Sequence, residues 1–470
     1  MLINKPLILS GASGTTAYTI DQSLRFDSTA NVNLIDSSVG AGDTRKKDTF
    51  SVWVKRGKLG LLMYIMAYRY DATNYQYMSF DTSNRLEFTD VSGGSVIGKL
   101  ITNRVFRDPS AWYNLTFVWD TANAVAQDRM RIYVNGVRET SFNTATYPSL
   151  NVDSGGAGRA SSDIRIGTYY AVAGTFFDGY MANIVYIDNG ALDPSSFGET
   201  NDNGIWIPKD VSGLTFGTRG FYIDGRDSSA LGDDEAGSND YTTSGLASND
   251  QKPDTPTNNQ ITFNPLNNQR SGGTPSNGNL DYVGPSTRTL ITLTANLPTS
   301  GKWCCAFKVQ AVSTDAGWQI GVGYADDSDL GDAAGSNEDV SIIRMGPSSS
   351  EVFIWDAIAS AEIDPSLAIT TSDEFWVAQD MGTGKTYLGI YDASATAMKW
   401  IANDGGVDGN PSAGTNETKT NSALAGSDNV AITVASKASN TIYLQKSGDV
   451  DGTVPTGYTY FENVKDLIGS

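Results

Sequence analysis

Short stretches of alternating apolar and polar residues recur along the chain, and Val, Ile, Tyr, Thr and Phe are frequent in them. This alternation places successive side chains on opposite faces of a β-strand. Residues 49–55, 112–119 and 129–134 are clear examples, and Asn135-Gly136 after the last of them favours a tight hairpin turn. Long stretches with apolar residues at i, i+3, i+4 and i+7 are hard to find. The pattern therefore predicts an all-β protein.

One long polar stretch interrupts the strand pattern. Residues 248–285 are rich in Asn, Asp, Thr, Pro, Gly and Ser, a composition typical of a connector. We predict two consecutive antiparallel β-sandwiches, over residues 21–247 and 286–470, preceded by a leader or docking segment at residues 1–20. A length of 470 residues suits this division, because a single sandwich can reach roughly 200–250 residues.

The charge balance narrows the choice of partners. The chain has 33 basic and 53 acidic residues, a net charge of −20. Such a chain repels phosphate backbones, so no nucleic-acid partner is expected. No stretch approaches the roughly 18 apolar residues of a membrane helix, so no membrane partner is expected either. The acidity can serve solubility alone, or it can supply carboxylates that hold calcium.

Residues that commonly carry catalysis are scarce. The sequence has no histidine, which excludes Ser-His-Asp and Cys-His catalysis and His-ligated metal sites. Cys304 and Cys305 are neighbours in a strand-like run, so they should face opposite sides and form no disulfide with each other. Glu87 and Asp90 come nearest to the paired carboxylates of a glycan-cleaving enzyme. Exposure of Glu87 and Asp90 to solvent at a strand edge is the favoured explanation for this pair. We therefore expect no enzymatic activity.

The segment Gly382-Thr383-Gly384-Lys385-Thr386 is similar to part of a phosphate-binding loop. The full pattern requires glycine five positions before its last glycine, where this chain has Gln379. A hairpin turn is therefore predicted.

A second candidate site lies in the acidic loop at residues 224–240. Its oxygen donors recur between glycines that let a loop fold back, although without EF-hand spacing. The candidate calcium ligands are Asp224, Asp227, Asp233 and Asp240. Residues 326–339 have the same character. A plain solvated loop is the alternative, and Ca²⁺ is the one cofactor that the sequence suggests.

Aromatic residues are concentrated in two short spans. The first contains Tyr64, Tyr68, Tyr70, Tyr75 and Tyr77, and the second contains Tyr169, Tyr170, Phe176 and Phe177. Aromatic faces suit the C–H-rich sides of sugars, and a tyrosine adds a hydroxyl. We select Tyr68, Tyr70, Tyr169 and Tyr170 as candidate glycan-stacking residues. Burial in the core is the alternative for most of these aromatics, and only a few should be exposed.

Three segments of the first half resemble laminin-G and pentraxin-type jelly rolls. They are residues 112–120, which end in Trp119-Asp120; residues 131–137, which contain Tyr133-Val134-Asn135-Gly136; and residues 177–184, which begin Phe177-Asp178-Gly179. The resemblance covers about residues 20–200. It implies a concanavalin A-like jelly roll as the first sandwich.

Motifs in the second half resemble the SPRY-type sandwich. They are Gly301-Lys302-Trp303, residues 380–389, and residues 409–416, which read Gly-Asn-Pro-Ser-Ala-Gly-Thr-Asn. The resemblance implies a SPRY-like β-sandwich. Cys304 departs from it, because an aromatic residue is common at that position.

Residues 55–57, 107–113, 191–200 and 254–259 together are similar to structural proteins from tailed phages of aquatic bacteria. The resemblance implies a virion surface protein of tail-fibre or head-fibre type, made in the host cytoplasm and released by lysis. Its implied partners are other virion proteins, through the N-terminal region, and a host-surface glycan. A homo-oligomer is expected, with a trimer favoured by analogy with fibres. A ligand-free capsid decoration protein and a secreted glycan-degrading enzyme are the alternatives.

Overall fold

The computed structural model describes residues 18–36, 40–170, 174–269, 273–285, 289–312, 317–325, 343–348, 351–356, 361–436 and 440–463. The acidic run 326–339 and most of the predicted leader, residues 1–17, lie outside these ranges. The described residues form strands and three single-turn 3₁₀ helices, at Ala126–Asp128, Pro194–Ser196 and Ser248–Asp250. The all-β prediction is confirmed. No helix in the described ranges has the length and apolar character needed to span a membrane.

The described chain divides into two compact units, residues 18–259 and residues 260–463. The strands of the first unit are β1 (Ser23–Phe26), β2 (Asn33–Asp36), β3 (Lys47–Arg56), β4 (Met63–Arg69), β5 (Tyr75–Phe80), β6 (Arg85–Ser92), β7 (Ser95–Val105), β8 (Trp112–Asp120), β9 (Met130–Val134), β10 (Val137–Arg138), β11 (Phe142–Thr146), β12 (Asp163–Ile166), β13 (Gly179–Asp188), β14 (Gly198–Thr200), β15 (Trp206–Pro208), β16 (Phe221–Ile223), β17 (Thr242–Ser244) and β18 (Gln251–Lys252).

Two antiparallel sheets make up most of the first unit. The first sheet has the strand order β10-β9-β8-β3-β13-β1-β18, with β16 also paired to β13. The second sheet has the order β11-β7-β6-β5-β4-β12-β2-β17, and β14 pairs with β15 separately. Because neighbours in each sheet are often far apart in sequence, the chain passes repeatedly from one sheet to the other. This is the jelly-roll type of sandwich that the sequence predicted.

The core of the first unit lies between these two sheets. In β3 the alternate residues Phe50, Val52 and Val54 are completely buried in it. From the facing sheet, Phe88 packs edge-on against Phe117, with ring centroids 5.6 Å apart. Alternation along each strand thus provides one apolar face per sheet, and burial of those faces holds the sheets together.

The strands of the second unit are β19 (Phe263–Gln269), β20 (Thr274–Ser276), β21 (Asp281–Val283), β22 (Thr289–Leu293), β23 (Lys302–Val309), β24 (Gln319–Tyr324), β25 (Ile343–Ser348), β26 (Glu351–Asp356), β27 (Ala361–Ile363), β28 (Glu374–Asp380), β29 (Lys385–Asp392), β30 (Ala397–Ile401), β31 (Lys419–Thr420), β32 (Val430–Ser436), β33 (Thr441–Leu444) and β34 (Thr459–Tyr460).

The second unit is also built from two sheets. One has the order β19-β22-β32-β24-β25-β26-β27 and the other the order β20-β21-β33-β23-β28-β29-β30. In the latter sheet β31 adds to β29, and β34 adds to β23 in parallel. The segment similar to a phosphate loop is the turn between β28 and β29, where Asp380 pairs with Lys385. The predicted hairpin is confirmed.

Cys304 and Cys305 lie on opposite faces of β23, as alternation predicts. Cys305 belongs to the main core between the sheets, whereas Cys304 packs with Trp376 and Trp400 in a smaller cluster on the other face. Both thiols are free and buried.

Residues 248–285, predicted as a polar connector, contribute to both units. In the first unit, β18 pairs with β1. In the second unit, β19 pairs with β22, and the completely buried Ile261, Phe263 and Tyr282 join the core. A few large apolar residues at wide spacing are thus enough to fix a stretch that is otherwise polar.

Candidate binding surface

The outer face of the second sheet in the first unit carries an unusual row of side chains. The residues paired in register across β12, β4, β5, β6 and β7 are Arg165, Ala67, Tyr77, Thr89 and Lys99. Their neighbours along each strand, such as Ile166, Met66 and Met78, are in the core. The row therefore faces away from the core, with one small residue, Ala67, flanked by an arginine and a tyrosine.

Four tyrosines meet at this row, and one of them, Tyr77, belongs to it. Tyr64 lies on β4, Tyr75 and Tyr77 lie on β5, and Tyr169 comes from the loop after β12. The Tyr169 ring centroid is 5.2 Å from that of Tyr64, 5.5 Å from that of Tyr75 and 6.0 Å from that of Tyr77. All four side chains are partly exposed. We call these four residues, together with the adjacent Tyr170, the tyrosine surface.

On one side of the tyrosine surface, the buried carboxylate of Glu87 holds a tyrosine in place. Glu87 on β6 accepts a hydrogen bond of 2.7 Å from the Tyr77 hydroxyl, and its Oε1 lies 2.6 Å from the Lys99 ammonium. Burial and then the Glu87 charge raise the pKa of Tyr77, so this tyrosine stays a neutral hydrogen-bond donor at neutral pH. Glu87 thus fixes the ring position of Tyr77.

Arginines hold the tyrosine surface from the other side. The Arg69 guanidinium lies 4.2 Å from the Tyr170 ring centroid, and that of Arg165 lies 5.3 Å from it. Nearby, Arg159 lies 3.6 Å from the ring of Tyr70. In the ranges that the structure describes, neither Arg69 nor Arg159 forms an ion pair with a carboxylate. The guanidinium groups of Arg69 and Arg159 thus stack on aromatic rings without a carboxylate partner in these ranges, and Arg69 also forms a side-chain hydrogen bond with Tyr169.

The four candidate stacking residues divide between surface and core. Tyr70 and Tyr170 are 41% and 47% exposed, and Tyr169 is partly exposed. Tyr68 is only 1% exposed and faces the core, where its ring lies 5.2 Å from that of Tyr186. It cannot stack on a ligand, so its selection from the sequence was wrong.

The physical reason for this correction is a β-bulge. The register between β4 and β5 shifts between Tyr64 and Met66, which inserts one residue into β4. Tyr64 and Tyr68 both have even numbers, yet the first faces solvent and the second faces the core. Simple alternation cannot reveal such a change of phase.

Glu87 and Asp90, the nearest approach to a catalytic acid pair, point to opposite faces of β6. Glu87 belongs to the outer face, beside Tyr77. Asp90 faces the core and accepts hydrogen bonds from Gln76 and the Gly155 amide. Two carboxylates on opposite faces of one strand cannot flank a single glycosidic bond.

The structure does not bring the four candidate calcium ligands together around one point. Asp224 forms an ion pair with Arg226 from the same loop, and Asp227 accepts hydrogen bonds from Ser229. Asp240 accepts a hydrogen bond from the Asp234 amide, and Asp233 is exposed. Among the described residues, no three or more Asp, Glu, His or Cys side chains are placed to hold a metal ion.

A cavity of about 410 Å³ lies beside this loop in the first unit. Hydroxyl groups of Ser228, Thr242 and Thr243 line it, together with Leu231 and Leu246. It lacks exposed stacked rings and guanidinium groups of the kind found on the tyrosine surface, which makes the latter the stronger candidate for binding.

The comparison with protein families assigns the fold of the first unit. Residues 26–196 match the Laminin_G_3 family, described as the concanavalin A-like lectin/glucanases superfamily. This match supports the laminin-G-like jelly roll predicted from the sequence. Domains of this kind are mainly binding domains, for carbohydrate or protein. No curated protein matches the chain significantly.

Three solved structures that are similar to the chain share only a low sequence identity with it. A native heptameric SAP-like pentraxin from Limulus polyphemus has 18% identity and a TM-score of 0.28, covering 37% of this chain and 78% of its own. Domains LG4-5 of the mouse laminin alpha1 chain have 10% identity and a TM-score of 0.29, covering 93% and 85%. The TRIM65 PSpry domain has 11% identity and a TM-score of 0.27, covering 40% and 90%.

Proposed function

We propose that this chain is a surface protein of a tailed-phage virion, of tail-fibre or head-fibre type, and that the tyrosine surface binds a glycan on the host. The observation that carries the binding part is the group of packed tyrosines, edged by arginines, on the outer face of the second sheet. The phage part rests on the sequence fragments that resemble phage structural proteins.

The chemistry of the tyrosine surface suits a sugar. Partly exposed rings offer flat apolar faces for the C–H-rich sides of a sugar ring, and tyrosine hydroxyls add hydrogen bonds. The guanidinium groups of Arg69 and Arg159 supply further donors for sugar hydroxyls. Because Tyr64, Tyr75, Tyr77 and Tyr169 already pack against one another, binding needs little further ordering of these side chains.

The placement of the two nearest acidic residues, Glu87 and Asp90, supports binding of a glycan without cleavage. Glu87 is engaged by Tyr77 and Lys99, and Asp90 faces the core. The proposed role is therefore adhesion, and a secreted glycan-degrading enzyme remains the least favoured reading. Several copies in a homo-oligomer, a trimer by analogy with fibres, would increase the avidity of a weak single site. The N-terminal region is the proposed attachment to other virion proteins.

A capsid decoration protein that acts through protein contacts is the second candidate. The observation in its favour is the composition of the same surface, because tyrosine and arginine are also enriched at the centres of protein interfaces. In that case the partner of the tyrosine surface would be another virion protein instead of a glycan.

A binding experiment separates these proposals. The purified full chain is applied to an array of bacterial lipopolysaccharides and capsular polysaccharides, and to a panel of aquatic bacteria. Adhesion predicts binding to selected glycans and cells, without release of reducing ends. Absence of binding in both assays would contradict adhesion and favour the decoration protein. Release of reducing ends would contradict the non-enzymatic role.

A further inference from the structure

A lysine is buried on the outer face of the first sheet. Lys55 follows the core residue Val54 on β3, and it is only 1% exposed. Its cross-strand partners are Trp112 on β8 and Tyr180 on β13, whose rings are buried as well. Burial of an ammonium group is costly unless it is paired. The groups that contact the Lys55 amine therefore determine what it can do.

Two side chains from the segment at residues 254–259 contact the Lys55 amine together. Nζ lies 2.8 Å from Oδ2 of Asp254 and 2.9 Å from Oδ1 of Asn259. These partners are 199 and 204 positions away in the sequence. A lysine amine, a carboxylate and a carboxamide thus meet at one point on β3.

Further hydrogen bonds fix which atoms face the amine. Trp112 Nε1 donates to Oδ1 of Asp254 at 3.0 Å, while Oδ2 contacts Lys55. Nδ2 of Asn259 donates to the Ser110 carbonyl at 2.8 Å. Because that carbonyl only accepts, Oδ1 is the Asn259 atom that faces Lys55. The Oδ1–Cγ bond is about 1.2 Å long, so Nζ, 2.9 Å from Oδ1, lies within about 4 Å of the amide carbon.

We propose that Lys55 and Asn259 join in an intramolecular isopeptide bond, with Asp254 as the acid–base group. The contacts described above are the arrangement before the bond forms. Asn259 is the acceptor because its amide carbon is neutral, whereas an ionised carboxylate repels a nucleophile. Asp254 is therefore left to carry protons. This self-modification does not depend on the glycan binding proposed above.

The reaction needs no other reactant. A proton passes from the Lys55 ammonium to Asp254, which leaves a neutral amine as the nucleophile. Its lone pair attacks Cγ of Asn259, so that the Nζ–Cγ bond forms and the Cγ–Nδ2 bond breaks. Asp254 gives its proton to the departing Nδ2 and removes a second proton from Nζ. The ammonia takes this second proton and leaves as ammonium, and Asp254 is again a carboxylate.

The surroundings of the three groups suit this reaction. The buried rings of Trp112 and Tyr180 limit the access of water to Lys55, and Nζ lies 5.9 Å from the Tyr180 ring centroid. Asn259 is partly exposed, which gives the released ammonia a way out. Because the joined residues are 204 positions apart, the bond closes a long loop and restricts the unfolded chain.

Mass spectrometry of the purified full chain in denaturant tests the proposal. The bonded chain should lack about 17 Da, the mass of the one ammonia that the amine displaces. Trypsin should release a branched peptide in which residues 48–56 are joined to residues 227–270. An unchanged mass without this peptide would overturn the proposal. Loss of ammonia at another asparagine, or loss of water in a bond from Lys55 to Asp254, would overturn it as well.

Variants assign the roles of the side chains. Asn259→Ala should show no loss of ammonia, whereas the neighbouring control Asn258→Ala should still lose one. Asp254→Asn should fold, as circular dichroism checks, and remain unbonded. Complete bonding of Asp254→Asn would overturn the acid–base role. If Asp254→Asn does not fold, Trp112→Phe removes the donor that orients the carboxylate and should leave part of the chain unbonded, and complete bonding of that variant would contradict the role of Asp254.

Discussion

The Lys55 ammonium lies 2.8 Å from the Asp254 carboxylate, and both side chains are almost completely buried although 199 residues separate them. The other Asp254 oxygen accepts a hydrogen bond of 3.0 Å from the Trp112 indole, and Lys55 also donates to Asn259 at 2.9 Å. The segment at residues 254–259 is thereby fastened to the outer face of the first sheet.

Three of the sequence fragments on which the predicted phage likeness rests meet at this point. Lys55 belongs to residues 55–57, Trp112 to residues 107–113, and Asp254 and Asn259 to residues 254–259. Asn259 also donates a hydrogen bond of 2.8 Å to the Ser110 carbonyl. Each of these three fragments thus supplies one part of a single, largely buried polar network.

Removal of one partner from the Lys55–Asp254 pair should be strongly destabilising. Asp254→Ala leaves a buried ammonium without its carboxylate, which we expect to cost about 3–5 kcal/mol of unfolding free energy. Chemical denaturation of the first unit measures this loss. The control is Arg104→Ala, which breaks the more exposed pair with Glu139 and should cost less than about 1 kcal/mol. Equal losses in the two variants would contradict the account.

Gly155 should not tolerate a side chain. A Cβ at this position would lie 1.8 Å from the Val91 carbonyl oxygen, a backbone atom that cannot move aside easily. Gly155→Ala is therefore expected to destabilise the first unit by at least about 2 kcal/mol. A Cβ at Gly213 meets nothing within 4 Å, so Gly213→Ala should change stability by less than about 0.5 kcal/mol. Denaturant titration of both variants checks the difference.

The two cysteines should be inert in the folded protein. Burial raises the pKa of Cys304 to about 12, and burial raises that of Cys305 well above its ordinary value. At pH 8 a thiol with a pKa near 12 is about one ten-thousandth thiolate, the form that reacts. Mass spectrometry after iodoacetamide treatment should find both unmodified in native protein and both alkylated in denaturant. Rapid labelling of native protein would show that β23 is more accessible than its burial indicates.

Alternation of apolar and polar residues was enough to predict the fold class and most strand positions, because successive side chains of a regular strand point to opposite faces of the sheet. This prediction failed where an extra residue in a strand interrupts the alternation. The bulge after Tyr64 reverses the faces of β4, which hides Tyr68 and leaves Tyr64 on the tyrosine surface.

The contacts between side chains on neighbouring strands could not be predicted from the sequence either. No local pattern indicates that Glu87 holds Tyr77, or that Arg69 and Arg165 share the ring of Tyr170. These contacts depend on the strand order β12-β4-β5-β6, in which β12 comes from a distant part of the chain. In the acidic loop the sequence did contain the relevant signal, since Arg226 stands two residues from Asp224, the carboxylate that it neutralises.

The most direct test of the account is the affinity of the tyrosine surface for a glycan identified on the polysaccharide array. Tyr169 contacts the rings of Tyr64, Tyr75 and Tyr77, so Tyr169→Ala should weaken binding about thirtyfold, the loss typical of a central contact residue. Tyr443→Ala, a partly exposed tyrosine in the second unit, is the matched control. We expect a large loss of affinity for Tyr169→Ala and an unchanged affinity for Tyr443→Ala. Equal affinity of both variants and the wild-type chain would contradict it.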